Sequence, residues 1–496
     1  MKTIKTNLKG LLRRCVPALI LPSLLLLQGC PNEVEPEVDT EQQKINADPD
    51  YKAKSFLRKE YMDVYYYWND QVKSRNASYK PYDYSSIYDW FDALLYSKDH
   101  WSWMMDKDTY ISEETGVMTG TWGVSIGQAV EYYGDYSMRV RYIHPGSPFE
   151  QFGVTRGAKI LKINGVDVED RADSPFDSDK LAYFNESFYK SPQTFTFRLA
   201  NGRDTTFKAT MATSLATRTC LKAQVFQPDE FEGLPGPVGY FHFLSFTYGP
   251  DGEFLKDIRE PMQTFREAGV RNLIVDLRYN GGGDSRVSDL LISYLAPKEA
   301  QGRAYVIRKH NSNLSGEDQT TSIKKNDESL ELDHIYFITG HGTASASEMV
   351  MNGLKPYMGD KMKMVGQTTY GKPNGMYVLM YPGSDSDYER YNRDDYSKLQ
   401  WVFLPICFYN QNSLGQNIPD EGFTPDNSRP DDLFHDFGVN EGDINACLTH
   451  LVSGNWPALP SVSTVRTKAS VRKDYLIEKE EDAAGYGRYV VRKQVF

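Results

Sequence analysis

Five residues, Leu273-Ile-Val-Asp-Leu277, run straight into Arg278-Tyr-Asn-Gly-Gly-Gly283, and apolar residues then recur at helical spacing: Val287, Leu290, Leu291, Tyr294 and Leu295. A short, nearly all-apolar run that ends in a turn signal is the mark of a strand buried on both faces. A strand that leads through a glycine turn into an amphipathic helix, in a chain that alternates strand and helix, is the signature of an α/β core. Val238-Gly-Tyr-Phe-His-Phe-Leu244 and His334-Ile-Tyr-Phe-Ile-Thr339 supply further strands. Phe254 to Ala268 reads as a helix, with an interruption expected at Pro261. Residues 213–435 are therefore expected to form an α/β core.

Two different textures precede it. Leu57, Tyr61, Val64 and Trp68 share one helical face, as do Ile87, Trp90, Phe91, Leu94 and Leu95, which predicts a helical N-terminal cap over 51–112. Over 113–212 the pattern is β-rich. Gly120-Thr-Trp-Gly-Val-Ser125 leads into a strand, and His144-Pro-Gly-Ser-Pro-Phe149 opens a short helix. Gly157-Ala-Lys-Ile-Leu-Lys-Ile-Asn-Gly-Val-Asp167 gives two strands around an Asn-Gly turn. The C-terminal extension, 436–496, offers only short runs such as Tyr489-Val-Val-Arg492. The chain is thus a multidomain protein of α/β class, α+β in its arrangement of parts.

The chemistry is concentrated in two segments. Gly342-Thr-Ala-Ser-Ala-Ser-Glu348 puts Ser345 at the start of a helix with Val350, Leu354 and Met358 on one face, and Lys372 follows 27 residues later in Thr369-Tyr-Gly-Lys372. Ser345-Ala-Ser-Glu348 also fits a capping box, so the hydroxyl has a structural reading beside the nucleophilic one. Serine attacks only when a base takes its proton, and lysine can be that base when burial strips its own. The Gly281-Gly-Gly283 turn can aim N–H groups at a developing oxyanion. It is not a dinucleotide cradle: Arg286 stands where the third glycine of G-x-G-x-x-G belongs, and no G-x-x-x-x-G-K-[ST] occurs. These features point to a serine hydrolase independent of histidine.

Taken in order, Asp276-Leu-Arg-x-Asn-Gly-Gly-Gly283, Gly342-Thr-Ala-Ser-Ala-Ser-Glu348, Gly366-x-Thr-x-Tyr-Gly-Lys372 and Glu421-Gly-Phe-Thr-Pro-Asp426 resemble the C-terminal processing peptidases, or tail-specific proteases. The resemblance implies a serine-protease core in which Ser345 is nucleophile and Lys372 general base. It implies an oxyanion hole from Ala346 N–H and a glycine N–H of Gly282 or Gly283. Two features depart from the family: Met376 stands where a glutamine that orients the lysine is frequent, with Asn374 as a substitute, and the serine-to-lysine interval is slightly long. The β-rich region resembles a circularly permuted bacterial PDZ domain. That implies capture of a polypeptide's free C-terminus on the backbone of Trp122, Gly123, Val124 and Ser125, within a carboxylate loop at 121–125. A peptide-binding scaffold of the same fold that has lost turnover is the alternative. The wider superfamily includes histidine-dependent relatives, which makes His242 in Tyr240-Phe-His-Phe243 the reserve base.

Composition removes other classes. A net charge of −11 and a pI near 5.4 leave no basic surface for nucleic acid. Cys220, Cys407 and Cys447 have no CxxC spacing, and the eight histidines form no HExxH pair, so neither a metal nor a cofactor is indicated. At the N-terminus, Lys2, Lys5, Lys9, Arg13 and Arg14 precede an apolar stretch from Val16 to Leu27 that is short for a membrane span. Leu27-Gln-Gly-Cys30 resembles a bacterial lipoprotein processing site. Residues 1–29 are then a signal peptide, Cys30 is the lipidated residue, and acidic residues 30–50 are a tether. The expected location is the cell envelope, anchored by lipid to the outer membrane on its periplasmic or surface side. Cys30→Ala is expected to move the protein from the membrane fraction to the soluble one, since stable anchoring takes more than one acyl chain. Unchanged fractionation of this variant would remove the lipoprotein reading.

Overall fold

The computed structural model describes residues 40–129, 135–384 and 396–459, together with the backbone of 476–479 and 489–492. The signal peptide and Cys30 lie outside the described residues. A first unit ends at Pro49 and contains helix α1 (Thr40–Ala47), which buries no side chain. The tether thus includes a short helix, with Gln42 donating to Asn46 one turn on.

The second unit, from Asp50, begins with α2 (Tyr51–Phe56), a π-helical turn over Leu57–Met62, α3 (Asn69–Asn76) and α4 (Ile87–Leu94). The helical stripe expected through Trp68 stops at Met62, because a π turn carries the chain off the 3.6-residue period. Leu57 and Tyr61 are buried whereas Val64 is exposed. Strand β1 (Trp103–Asp106), α5 (Lys107–Thr115) and β2 (Val117–Met118) follow. The N-terminal helices do not enclose a core of their own. Phe56, Leu57, Tyr61, Trp90 and Phe91 pack with Leu379, Tyr381 and Phe403 from the far end of the chain.

The β-rich region folds around Phe149, Phe184, Phe195 and Phe197, all fully buried. Its strands are β3 (Val124–Ala129), β4 (Asp135–Ile143), β5 (Lys159–Ile163), β6 (Val166–Asp167), β7 (Gln193–Arg198) and β8 (Asp204–Ala209), in the order β3-β4-β5-β7-β8 with β6 beside β5. Asn164 and Gly165 both take positive φ, which gives the tight turn expected between β5 and β6. Two features went unread in the sequence. Helix α6 (Ser178–Phe188) starts at an Asp177 cap and buries Leu181, Phe184 and Phe188. The other is β8, which pairs with β7 along its whole length.

After β9 (Leu215–Ala216), the central sheet takes the order β10-β11-β12-β15-β16-β21. Its members are β10 (Cys220–Phe226), β11 (Val238–Phe243), β12 (Asn272–Asp276), β15 (His334–Thr339), β16 (Met362–Gly366) and β21 (Asn427–Ser428). All pairings are parallel except that of β10 with β11. Helices α7 (Lys256–Glu267), α8 (Ser285–Leu295) and α9 (Ala346–Met358) cover one face through Ile258, Met262, Leu291, Val350 and Leu354. Pro261 lies inside α7 without ending it. Helix α10 (Gly442–Ser453) covers the other face through Ile444, Cys447 and Leu448, so part of the C-terminal extension belongs to the core packing. A second sheet, β14-β13-β20-β17, is formed by β13 (Ala304–His310), β14 (Gln319–Ser322), β17 (Asn374–Met376) and β20 (Ile406–Gln411). β18 (Leu379–Tyr381) and β19 (Trp401–Leu404) join β1, and β22 (Leu476–Lys479) pairs with β23 (Tyr489–Arg492). Cys220, Cys407 and Cys447 are free thiols.

Buried charge ties the parts of the second unit together. Arg156, from the β-rich region, donates to Asp431 Oδ1 at 2.6 Å, Asp432 O at 2.9 Å and the Tyr279 hydroxyl at 2.7 Å. Arg278 of the central sheet meets Asp276 (2.8 Å), Asp431 (3.0 Å), Glu441 (2.6 Å) and Asp443 (3.1 Å). Burial disfavours every charge here, yet the two guanidiniums hold Asp431 well below the usual carboxylate range, and Arg278 lowers Asp276. Asp443 moves the other way, pushed up by burial and then by Glu441. The depressed pair stabilises the fold above about pH 4 and loses that contribution as pH falls through the folded values. Arg156→Met should cost on the order of 3–5 kcal/mol by leaving buried carboxylates unpaired. A fall of several degrees in melting temperature checks this; a melt at the parental temperature would contradict it.

Candidate active site

Ser345 sits at the N-cap of α9 with φ 54° and ψ −113°, a backbone conformation that L residues rarely adopt. Its neighbours hold that strain in place. The Thr343 hydroxyl donates to Leu277 O at 2.7 Å and accepts from Gly340 N–H at 2.9 Å. Asn280 accepts from Ala344 N–H and from the Ser347 hydroxyl through its carbonyl, while its side chain binds Phe243 O and Gly282 N–H. The serine loop and the glycine turn are therefore one hydrogen-bonded piece.

Glycine is required in that turn. A Cβ on Gly282, which has φ 105°, would stand 2.8 Å from Ser345 Cβ and 2.9 Å from Ala346 N. The Gly282 N–H is spent on Asn280 Oδ1. Gly283 bridges Phe246 in parallel fashion: Phe246 N–H donates to Gly282 O, and Asp284 N–H to Phe246 O, which turns the Gly283 N–H to the other side. Among the described residues no acceptor is assigned to the N–H of Gly283 or of Ala346. Both residues line a cavity of about 640 Å³ together with Ser345, Lys372, Asn374 and Met376.

Glu348 joins the serine to the lysine. Its buried carboxylate accepts from Ser345 N–H (3.0 Å), the Thr369 hydroxyl (2.5 Å), Gly371 N–H (2.8 Å) and Lys372 N–H (2.8 Å). Burial pushes its carboxyl above the usual range, and the four donors pull the other way. The S-x-x-E spacing was read only as a cap; the glutamate also clamps a loop more than twenty residues away.

Lys372 is half-buried as a residue, but burial of its amine lowers it to about 8, against the opposing charges of Glu348 and Asp99. Nζ lies 3.7 Å from Met376 Sδ and 6.0 Å from the centre of the Trp103 ring. It makes no hydrogen bond to Ser345 Oγ in this conformation. Trp101 Nε1 donates to Gly371 O at 3.0 Å and Trp103 Nε1 to Met376 Sδ at 3.2 Å, so the N-terminal segment builds one wall of the site. Neither tryptophan was singled out in the sequence, where they look like core aromatics. His242 is fully buried among Tyr142, Tyr240, Tyr279 and Phe437, pushed down to about 4 by burial, and is not among the cavity's lining residues. This removes it as the reserve base.

With that geometry in view, residues 237–426 match the model of peptidase family S41, and residues 59–103 match the peptidase S41 N-terminal domain. The chain carries domains of peptidase family S41. They support a serine-type peptidase acting on polypeptide, of the family of C-terminal processing peptidases that its motifs resemble. A protein assigned as an S41 protease from Bacteroides fragilis NCTC 9343 shares the fold at 20% identity, over 81% of this chain and 97% of its own, with a TM-score of 0.60. The photosystem II D1 C-terminal processing protease is 16% identical over 79% of this chain and 94% of its own, with a TM-score of 0.43.

The residues of the expected carboxylate loop lie at the edge of the β-rich sheet of this S41 peptidase. The Trp122 side chain is buried, donating through Nε1 to Phe188 O, so it offers a ligand only its backbone. Thr121 N–H is taken by Ala212 O and Gly123 N–H by the Thr121 hydroxyl. His144 N–H donates to Gly123 O, which leaves the next pair, Val124 and Ile143, with backbone groups turned outward. Val124 and Ser125 begin the edge strand.

Glu348→Gln keeps the shape but sets an amide donor against N–H donors. Labelling of Ser345 by a fluorophosphonate should slow at least about tenfold, one lost charge-assisted hydrogen bond being worth roughly 1.5–3 kcal/mol. Labelling at the parental rate would show that the carboxylate does not hold the serine and lysine loops together.

Proposed function

We propose that this S41 peptidase is a membrane-anchored serine endopeptidase that works through a Ser345–Lys372 dyad and an acyl-enzyme. The observation that carries the reading is one cavity holding Ser345, a lysine lowered to about 8, and the N–H groups of Ala346 and Gly283. Neutral Lys372 takes the proton as Ser345 Oγ attacks the scissile carbonyl carbon. The carbonyl oxygen becomes an oxyanion facing the Ala346 and Gly283 N–H groups. The Lys372 ammonium then protonates the leaving amine, and the C–N bond breaks. Water, deprotonated by the same amine, releases the acyl group from Ser345.

The β-rich region is assigned the capture of a substrate's C-terminus by strand addition on β3, where Val124 offers outward backbone groups. Lipidation at Cys30 would hold the enzyme at the cell envelope. One observation favours a second reading, a scaffold with little turnover: Lys372 Nζ rests on the Met376 thioether.

Ser345→Ala should abolish cleavage of a quenched-fluorescent peptide that ends in a free carboxylate, with the melting temperature unchanged. Lys372→Arg should be nearly as damaging, since guanidinium stays protonated at any working pH, and joining it to Ser345→Ala should add little. The wild-type kcat/KM should rise with pH and level off with a midpoint near 8, as the amine loses its proton. Full activity in Lys372→Arg contradicts the dyad; a wild type that neither cleaves peptide nor takes the fluorophosphonate supports the scaffold.

A further inference from the structure

Arg308 of β13 lines the cavity that holds Ser345 and Lys372, and no carboxylate answers its charge there. The one hydrogen bond assigned to its guanidinium among the described residues goes to the neutral Gln319 side chain, at 3.3 Å. Its Nε is buried and has no acceptor. Asp318, just before β14, is already taken: it accepts from Lys309 Nζ at 2.9 Å and from His310 N–H at 2.8 Å. Other arginines of the cavity have acids of their own, Arg286 with Asp284 at 2.6 Å and Arg218 with Asp257 at 3.9 Å. A guanidinium carries five donors in a fixed fork, and leaving a charged donor buried and unmet is costly.

The second sheet carries this charge toward the strand that Lys372 enters. Arg308 stands directly opposite Asn410 of β20, so their side chains share a face. Phe408, two residues before Asn410, shares it too, and Arg308 Cζ lies 5.1 Å from the centre of its ring. Gly375 of β17 is opposite Phe408, and a Cβ there would collide with the ring. The ring therefore spans from β17 to the guanidinium and holds the cation by its face. Asn410 is 7% exposed and lines the cavity, and its Oδ1 is buried without a donor. An unmet cationic donor and an unmet neutral acceptor thus stand side by side. An acidic residue of a peptide offers both complements, a carboxylate for the fork and a main-chain N–H for the amide oxygen. We propose that Arg308 and Asn410 form a specificity subsite for an aspartate or glutamate side chain of the polypeptide being cleaved. The free C-terminus is assigned to the β-rich region, which leaves a side chain as the source of the carboxylate. The inference rests on the Ser345–Lys372 reading above, since it takes the bound peptide to be the substrate of that dyad.

Cleavage by the purified full chain tests it, with a quenched-fluorescent peptide in which glutamate replaces glutamine at one position at a time. The wild type should cleave one glutamate peptide at least about tenfold better in kcat/KM than its glutamine parent. Arg308→Met should bring that ratio to within about twofold, and Arg308→Glu should turn the preference to lysine at the same position, a gain that misfolding cannot produce. Asn410→Leu should raise KM about threefold or more for glutamate and glutamine peptides alike, because it removes an acceptor for the main chain. A series without a glutamate preference overturns the proposal, as does a preference kept in Arg308→Met or an unmoved KM in Asn410→Leu. A preference that vanishes when the peptide's C-terminus is amidated overturns it too, and gives the cation to the chain end. Binding of the same peptides to Ser345→Ala, read by fluorescence anisotropy, separates the two levels. If the wild type cleaves nothing, the dyad reading falls, yet a glutamate preference in binding that Arg308→Met removes still upholds the subsite. Equal binding of the glutamate and glutamine peptides overturns the subsite whatever the dyad does.

Discussion

Two guanidiniums removed from water set the frame on which this peptidase is built. Arg278 follows β12 and Arg156 comes from the β-rich region, yet both end on Asp431, and Arg278 also reaches Glu441 at the start of α10. Ions this deep are expensive unless each has partners, so the segments that supply the partners must arrive together. The fork geometry of arginine fixes direction as well as distance, and the Tyr279 hydroxyl, bonded to both Arg156 and Asp431, closes the arrangement.

The same short motif serves the chemistry at its other end. Asp276 and Arg278 face the buried charges, whereas Asn280, Gly282 and Gly283 face Ser345. What fixes the β-rich region and what shapes the turn beside Ser345 are thus a few residues apart on one strand end. Glu348 then plays for the lysine loop the part that Asn280 plays for the glycine turn. Both are buried polar residues, and both accept from backbone donors of a second segment, Glu348 through its carboxylate and Asn280 through its main-chain carbonyl. Buried hydrogen bonding thus holds the serine, glycine and lysine loops to one another.

The sequence made the α/β core legible because its strands are unbroken apolar runs and its helices strongly amphipathic, as in Leu273–Leu277 and Val287–Leu295. Ser345 and Lys372 were legible because their motifs are local. The partners were not. Glu348 looks like a helix cap, since S-x-x-E carries no sign of what else the carboxylate meets. Arg278 gives no hint that Asp431 and Glu441, more than 150 residues on, await it. Helix α6 could have been found from Leu181, Phe184 and Phe188 after an Asp177 cap, whereas the π turn at Leu57–Met62 breaks a periodicity that the residues themselves continue. The C-terminal helix was hidden by mixed composition: Cys447 and Ala446 are buried but do not advertise an apolar face.

The N-terminal segment shows most clearly why a boundary drawn by texture differs from one drawn by energetics. Residues before 113 look like a separate helical cap, yet Phe56 and Trp90 share a core with Leu379 and Phe403, and β1 pairs with β19. From that frame Trp101 grips the carbonyl beside Lys372, and Trp103 lies along its amine. An aromatic face favours a cation, but its bulk also excludes water, and burial heads the causes that lower this amine to about 8. Without that wall the amine would return toward its free value of about 10.4. The serine motif lies in the core, whereas the tryptophans beside Lys372 come from the N-terminal segment.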